Sequence, residues 1–336
     1  MRRTFFIPVL GGAMLVAALS WRAPAGAQQQ SPPPDIPTIA VDVQVVNIFF
    51  TVRNKQGGLV ANLDKSDFTI EEDGHGQPIR YFSRQSDLPL TLGLLVDTSV
   101  SQGNLIEQER QASSQFFSQM LRVRKDQAFL ISFDVNVDLL QDLTDSVRLL
   151  RAGLDKLRVN SGGGGGLHPG PVPTSSKPRG TLLYDAVFLA SEDLLKRQVG
   201  RKALVLITDG NDFGSRMTLQ QAIEVSQKAD VILYSILYLD REFYYRAGGY
   251  GMIGGFGNGS ALKKLSEETG GKMFEVGRKK PLKAIYEQIQ EELRSQYSIG
   301  YTPPPLATNA FRRVKIVPRN RDLRVQARQG YYPTRD

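Results

Sequence analysis

Five residues with hard oxygen donors carry the chemistry this sequence suggests. Asp97, Ser99 and Ser101 lie in LGLLVDTSVSQGN, Thr181 in RGTLLYDAV, and Asp209 in KALVLITDGND. Two of the three segments end an apolar, strand-like run, and no carboxylate among them has a cationic neighbour in sequence. Mg²⁺ takes about six oxygens at roughly 2.0–2.1 Å and keeps some of them as water. Two carboxylates and three hydroxyls fill most of such a shell and leave one position for an incoming ligand. The plainer alternative is that Asp97 and Ser99 cap a helix and Asp209 opens a turn.

Positioning five residues from three segments needs a rigid frame. LPLTLGLLVD, KALVLITD and DVILYSILYL are near-continuous apolar runs, the pattern of strands buried on both faces of a parallel sheet. QAFLISFD, VDLLQDL and KMFEV read as further strands. Helical spacing of apolar residues predicts helices over 103–122, 144–157, 181–196, 218–229, 260–269 and 280–296. Alternation of strand and helix predicts a doubly wound, mostly parallel α/β sheet. In such sheets the ligand crevice lies beyond the carboxyl ends of the strands, where Asp97 and Asp209 fall.

The order D-x-S-x-S, then a distant Thr, then a distant Asp resembles the metal-ion-dependent adhesion site of von Willebrand factor type A domains. The resemblance covers roughly residues 88–297. It implies that Ser99, Ser101 and Thr181 offer hydroxyls to the metal, while Asp97 and Asp209 supply charge directly or through water. It also implies that the sixth position takes a carboxylate from a protein partner. Mg²⁺ is the expected cofactor, with Mn²⁺ or Ca²⁺ as substitutes. Type A domains also slide their last helix as the metal site changes ligand, here 280–296. The whole chain resembles a family of bacterial exported proteins with a type A domain. Its DF-x-(I/L)-x-EDG segment is matched by Asp67 to Gly74, and its closing GYY by Gly330-Tyr331-Tyr332.

Outside that frame the pattern is β. Residues 38–85 alternate like strands, as in IAVDVQVVNIFFTVRN, and 298–336 return to strands in FRRVKIVP and LRVQARQGYY. Neither end has enough apolar surface for a core of its own. The two ends are therefore expected to pack together as one small β-sandwich-like domain beside an α/β domain at 86–297.

The N-terminus predicts export. Arg2 and Arg3 precede an apolar core from Phe5 to Leu19, and Ala25-Gly26-Ala27 is a cleavage signature, so residues 1–27 read as a signal peptide and 28–37 as a Gln/Pro-rich linker. A periplasmic or secreted bacterial location follows, with no membrane-spanning segment after cleavage. The chain has no cysteine, which excludes disulfides, thiolate metal sites and a lipid anchor on Cys. Cleavage removes Arg2, Arg3 and Arg22 and no acid, so the formal charge falls from +8 to +5. An exported chain without an aromatic-basic recognition motif is not expected to bind nucleic acid.

Two loops are expected to flank the site rim, 159–180 and 241–259. The second reads REFYYRAGGYGMIGGFGNG, and its Tyr244, Tyr245, Tyr250 and Phe256 are candidate partner contacts, against the alternative of aromatics folded back on the protein. His75 and His168 sit in separate loops and suit neither a zinc site nor a catalytic triad. The functional expectation is a metal-dependent adhesion or scaffold module, not an enzyme. The alternatives are a structural envelope protein with a vestigial metal site and a metal-assisted hydrolase. The hydrolase lacks a general base among the site segments.

Overall fold

A computed structural model describes residues 45–84, 88–159, 180–246, 259–304 and 310–333. The expected signal peptide and linker, most of the 159–180 loop, His168, Tyr250 and Phe256 lie outside these residues. Four strands come first: β1 (Val46–Arg53), β2 (Phe68–Glu72), β3 (His75–Gln77) and β4 (Tyr81–Arg84). The next six are β5 (Leu90–Asp97), β6 (Gln127–Phe133), β7 (Val137–Thr144), β8 (Arg201–Thr208), β9 (Val231–Leu237) and β10 (Met273–Glu275). They form one sheet in the order β10-β9-β8-β5-β6-β7, parallel except for β7. Every residue of β5, β8 and β9 is buried, which is why these strands read as unbroken apolar runs.

Helices cover both faces of this sheet. They are α1 (Ile106–Met120), α2 (Val147–Leu154), α3 (Leu183–Leu189), α4 (Leu219–Lys228), α5 (Arg241–Arg246), α6 (Gly259–Glu268) and α7 (Leu282–Arg294). Phe116 and Phe117 of α1, Leu150 of α2 and Ile285 and Ile289 of α7 fill one core. Leu183 and Val187 of α3, Ile223 of α4 and Leu265 of α6 fill the other. Several helices are shorter than their apolar spacing suggested, and two of them start at local caps. Ser146 accepts from the Leu149 N–H and starts α2, and Thr218 with Gln221 forms a capping box on α4. The helix expected over 181–196 begins at Leu183 and widens into a π-helical turn at Ala190–Leu195. The segment after β9, expected as irregular loop, starts instead with the short α5. Asp240 accepts from the Glu242 and Phe243 N–H groups at 3.0 and 3.1 Å and caps it.

Four further strands close the chain: β11 (Tyr297–Tyr301), β12 (Arg312–Pro318), β13 (Arg324–Ala327) and β14 (Gly330–Tyr331). With β1–β4 they build two antiparallel sheets, β13-β1-β11-β4 and β14-β12-β2-β3. One core lies between them, with Phe50, Phe68 and Tyr297 in mutual ring contact. Tyr297 keeps its hydroxyl satisfied by donating to Val60 O at 2.9 Å. Beneath this core Glu72, 2% exposed, accepts from the Tyr301 and Tyr331 hydroxyls and from Arg312. The architecture is thus the expected doubly wound, mostly parallel α/β sheet, with a flanking β-sandwich built from strands on both sides of it in sequence. Among the described residues no helix is long and apolar enough to cross a membrane.

Sandwich and sheet meet on polar contacts. Glu292 of α7, 0% exposed, accepts from Arg53 of β1 and from Gln326 of β13, the latter at 3.2 Å. Arg328 pairs with Asp230, and Thr269 bridges to Arg328 beside Gly270. Gly270 has φ +89 and lies so close that an added Cβ would sit 2.6 Å from the Arg328 nitrogen, so only glycine fits that turn.

Candidate metal centre

β5 lies between β8 and β6 at the point where the sheet's strand order reverses. Chain leaving the carboxyl ends of β5 and β8 diverges there and opens a crevice. Register pairs Val96 with Ile207, so Asp97 and Thr208 finish side by side. Asp97 is 0% exposed, and its two oxygens are both used: Oδ1 accepts from Ser99 N at 2.9 Å and Oδ2 from Thr208 Oγ1 at 2.6 Å.

The extended Ser99 leads into a 3-10 turn at Val100–Gln102, which places Ser101 back over the strand end. Ser99 Oγ and Ser101 Oγ are 3.0 Å apart, and Ser101 Oγ donates to Asp209 Oδ2 at 2.7 Å. Asp209 Oδ1 accepts from Asn211 N at 3.0 Å, a turn that Gly210 permits with φ 83. Four of the five sequence-selected residues therefore stand in one hydrogen-bonded chain, with the carboxylates beneath and the two serines half-exposed above.

Thr181 reaches the same rim by its backbone. It exchanges hydrogen bonds with Phe213, at 3.0 and 2.9 Å, in the loop that follows Asp209. Leu182 N donates to Asp134 O at 2.8 Å, which adds the β6–β7 turn to the rim. Among the described residues, the hydrogen bonds linking the other four do not include the Thr181 hydroxyl. Asp185 and Asp212 hold the flanking loops: Asp185 accepts from Met217 N at 2.9 Å and Asp212 from Ser215 Oγ at 2.5 Å. Tyr244 and Tyr245 fall on α5.

Charge is the unusual property of this crevice. Burial pushes the Asp97 carboxyl from its ordinary 3.8 up to about 7, and the neighbouring Asp209 carboxylate adds to the rise. A third acid, Glu109 on the inner face of α1, is 1% exposed and neither of its oxygens has a hydrogen-bond partner. Burial first and Asp97 second push it well above the carboxylate range. Glu109 escaped the sequence reading, although its signal was present: it shares the buried stripe of Ser113, Phe116 and Met120 on α1. Thr208 also escaped it, because only the parallel register brings that hydroxyl to Asp97.

The donors fit a hard cation. They are carboxylate and hydroxyl oxygens, the type such an ion takes; among the described residues no group of three or more His, Cys, Asp or Glu side chains is placed to hold a metal. A divalent charge set between Asp97, Asp209 and the serines would compensate two carboxylates that burial otherwise holds in repulsion.

No protein-family model matches the chain, and no curated protein does. Among solved structures, proximal thread matrix protein 1 from the mussel byssus is similar at 14% identity and a TM-score of 0.48, over 66% of this chain and 51% of that one. The chain thus spans about half the length of the mussel protein. A further structure of that protein, at the same identity and score, is described as having a zinc-occupied MIDAS motif. BatB from Bacteroides thetaiotaomicron is similar at 14% identity and a TM-score of 0.44, over 61% of this chain and 97% of that one. The PilB minor pilin of Streptococcus sanguinis is similar at 13% identity and a TM-score of 0.41, over 66% and 64%. These are likenesses between chains of low identity.

Proposed function

We propose that this chain is an exported, metal-dependent protein-binding module. Asp97, Ser99, Ser101, Thr181 and Asp209 hold a divalent cation, Mg²⁺ first, and the open position captures a carboxylate from a partner protein. The observation that carries this reading is the burial of Asp97 against Asp209 beneath two half-exposed serine hydroxyls. Two anions balance a divalent cation, while hydroxyls donate little charge, so a bound cation stays electrophilic towards an acidic group. The chain's part is positional. Thr208 and the Ser99 N–H fix the Asp97 carboxylate, Asn211 N fixes Asp209, and the 3-10 turn brings the Ser101 hydroxyl onto Asp209 beside that of Ser99.

Binding is favoured over catalysis because no histidine or cysteine lies in the site segments, and the acid Glu109 behind Asp97 is 1% exposed and presents no face to a substrate. Calorimetric titration with Mg²⁺ and Mn²⁺ tests the metal. The parent protein should bind one equivalent, while Asp97→Ala should lose binding and Ser99→Ala weaken it about tenfold or more. A parent that takes up neither ion would overturn the reading.

A further inference from the structure

A second recess opens on the same rim. It is a groove of about 1140 Å³ between the first turns of α1, the end of β9 and the loop that enters α7. Its link to the metal centre is direct. Ser101 is followed by Gln102, whose amide donates to Tyr238 O at 3.3 Å, and by Asn104, whose amide donates to Asp240 at 2.6 Å. Tyr238 N in turn donates to Thr208 O at 2.9 Å, next to Asp209. The groove wall is thus continuous with two of the three segments that build the metal site.

The walls differ in chemistry. One is the α1 face carrying Gln108, Gln111 and Gln115. Gln108 Oε1 already accepts from the Tyr238 hydroxyl at 2.6 Å, which leaves its amide N–H groups to donate. The opposite wall carries Arg278, Lys279 and Lys283, all exposed and with no ion pair among the described residues. In all, five basic and two acidic side chains line the groove. Of the acids, Asp240 is 6% exposed and occupied in capping α5, and Glu275 lies 3.9 Å from Arg241. Lys280 is held at 2.7 Å from Gln288 Oε1 and lies over the Phe274 ring. Burial, then the Lys272 ammonium, pushes it below the usual lysine range, as expected where positive charge gathers.

We propose that this groove receives an acidic peptide segment of the same partner whose carboxylate meets the metal. The inference rests on the metal-site reading and adds the partner's chemistry to it: one carboxylate for the cation, then further carboxylates for Arg278, Lys279 and Lys283. A concave, positively charged channel attracts a negatively charged chain and fixes its register by charge complementarity. Amides on the facing wall suit the main chain of an extended peptide.

Fluorescence anisotropy with labelled oligoglutamate, on the full chain in Mg²⁺, tests the groove. Arg278→Glu/Lys279→Glu/Lys283→Glu should weaken binding by roughly tenfold or more, and the milder Lys279→Gln/Lys283→Gln by a smaller factor. Both variants should retain Mg²⁺ uptake by calorimetry, which also reports that they fold. An equal charge change on the sandwich, Arg319→Glu/Arg321→Glu/Arg324→Glu, should alter oligoglutamate affinity less than about twofold. Groove variants that bind oligoglutamate like the parent would overturn the proposal. So would a heparin fragment that binds the groove more tightly than the peptide, since its occupant would then be an anionic polysaccharide. Failure of the metal reading looks different: the parent takes up no Mg²⁺, and EDTA leaves its oligoglutamate affinity unchanged.

Discussion

Two buried acids set the pH behaviour of the metal-free protein. Burial and Asp209 lift Asp97 from 3.8 to about 7, and Glu109 moves in the same direction. An acid whose folded pKa lies above its unfolded value binds its proton more tightly when folded. Its contribution to stability is complete below the unfolded pKa and is lost as pH rises through the folded one. Metal-free protein should therefore lose stability from about pH 4 to about pH 7, a window set by Asp97. Thermal melts in EDTA should show this slope. Saturating Mg²⁺ should remove it, and Asp97→Asn should flatten it; a parent melting point constant across that range would contradict the assignment. Glu109 allows a separate test, because neither oxygen is hydrogen-bonded and the side chain is 1% exposed. Glu109→Met, similar in size and uncharged, should gain about 1 kcal/mol or more in urea unfolding at neutral pH while keeping Mg²⁺ affinity. A loss of metal binding in that variant would instead assign Glu109 to the site.

Among the elements, α7 is the one gripped from two sides. Its inner face enters the core of the α/β sheet through Ile285 and Ile289, while Glu292 accepts from Arg53 and Gln326 on two sandwich strands. Arg53→Ala would leave the Glu292 carboxylate buried without its cation, at a cost of about 3–5 kcal/mol. The urea midpoint should fall accordingly, and an unchanged midpoint would show that the ion pair is dispensable. Type, order and approximate position of these elements were legible because β5, β8 and β9 are buried on both faces and the helices are apolar on one. Their ends were not, because caps such as Ser146 on Leu149 N depend on single hydrogen bonds. The candidate site was legible as an ordered set of oxygen-bearing residues, four of which hydrogen bonds link. Register alone brought Thr208 to it, and helix packing alone brought Glu109, so neither could be read from neighbours in sequence.

Taken as a whole, the molecule has a sandwich whose two halves come from opposite ends of the chain. β11 lies between β1 and β4, and β12 between β2 and β14, so these two C-terminal strands are internal to their sheets while β13 and β14 form edges. A chain ending at residue 296 should leave β1–β4 without those neighbours. Trypsin, with products mapped by mass spectrometry, should then cut at Arg53 and Arg84, which strand pairing in β1 and β4 slows in the full chain. Equal resistance of the two would show that residues 45–84 fold alone. The same arrangement imposes an order of events on a chain that emerges from its N-terminus. Strands of the central sheet, all between Leu90 and Glu275, can pair as soon as they appear. β1 and β2 appear earlier yet must wait, with Phe50 and Phe68 uncovered, until Tyr297 and Ile316 arrive. The first strands out are the last to be sheltered, so this stretch has the longest exposure to a chaperone or a protease while the protein is being made.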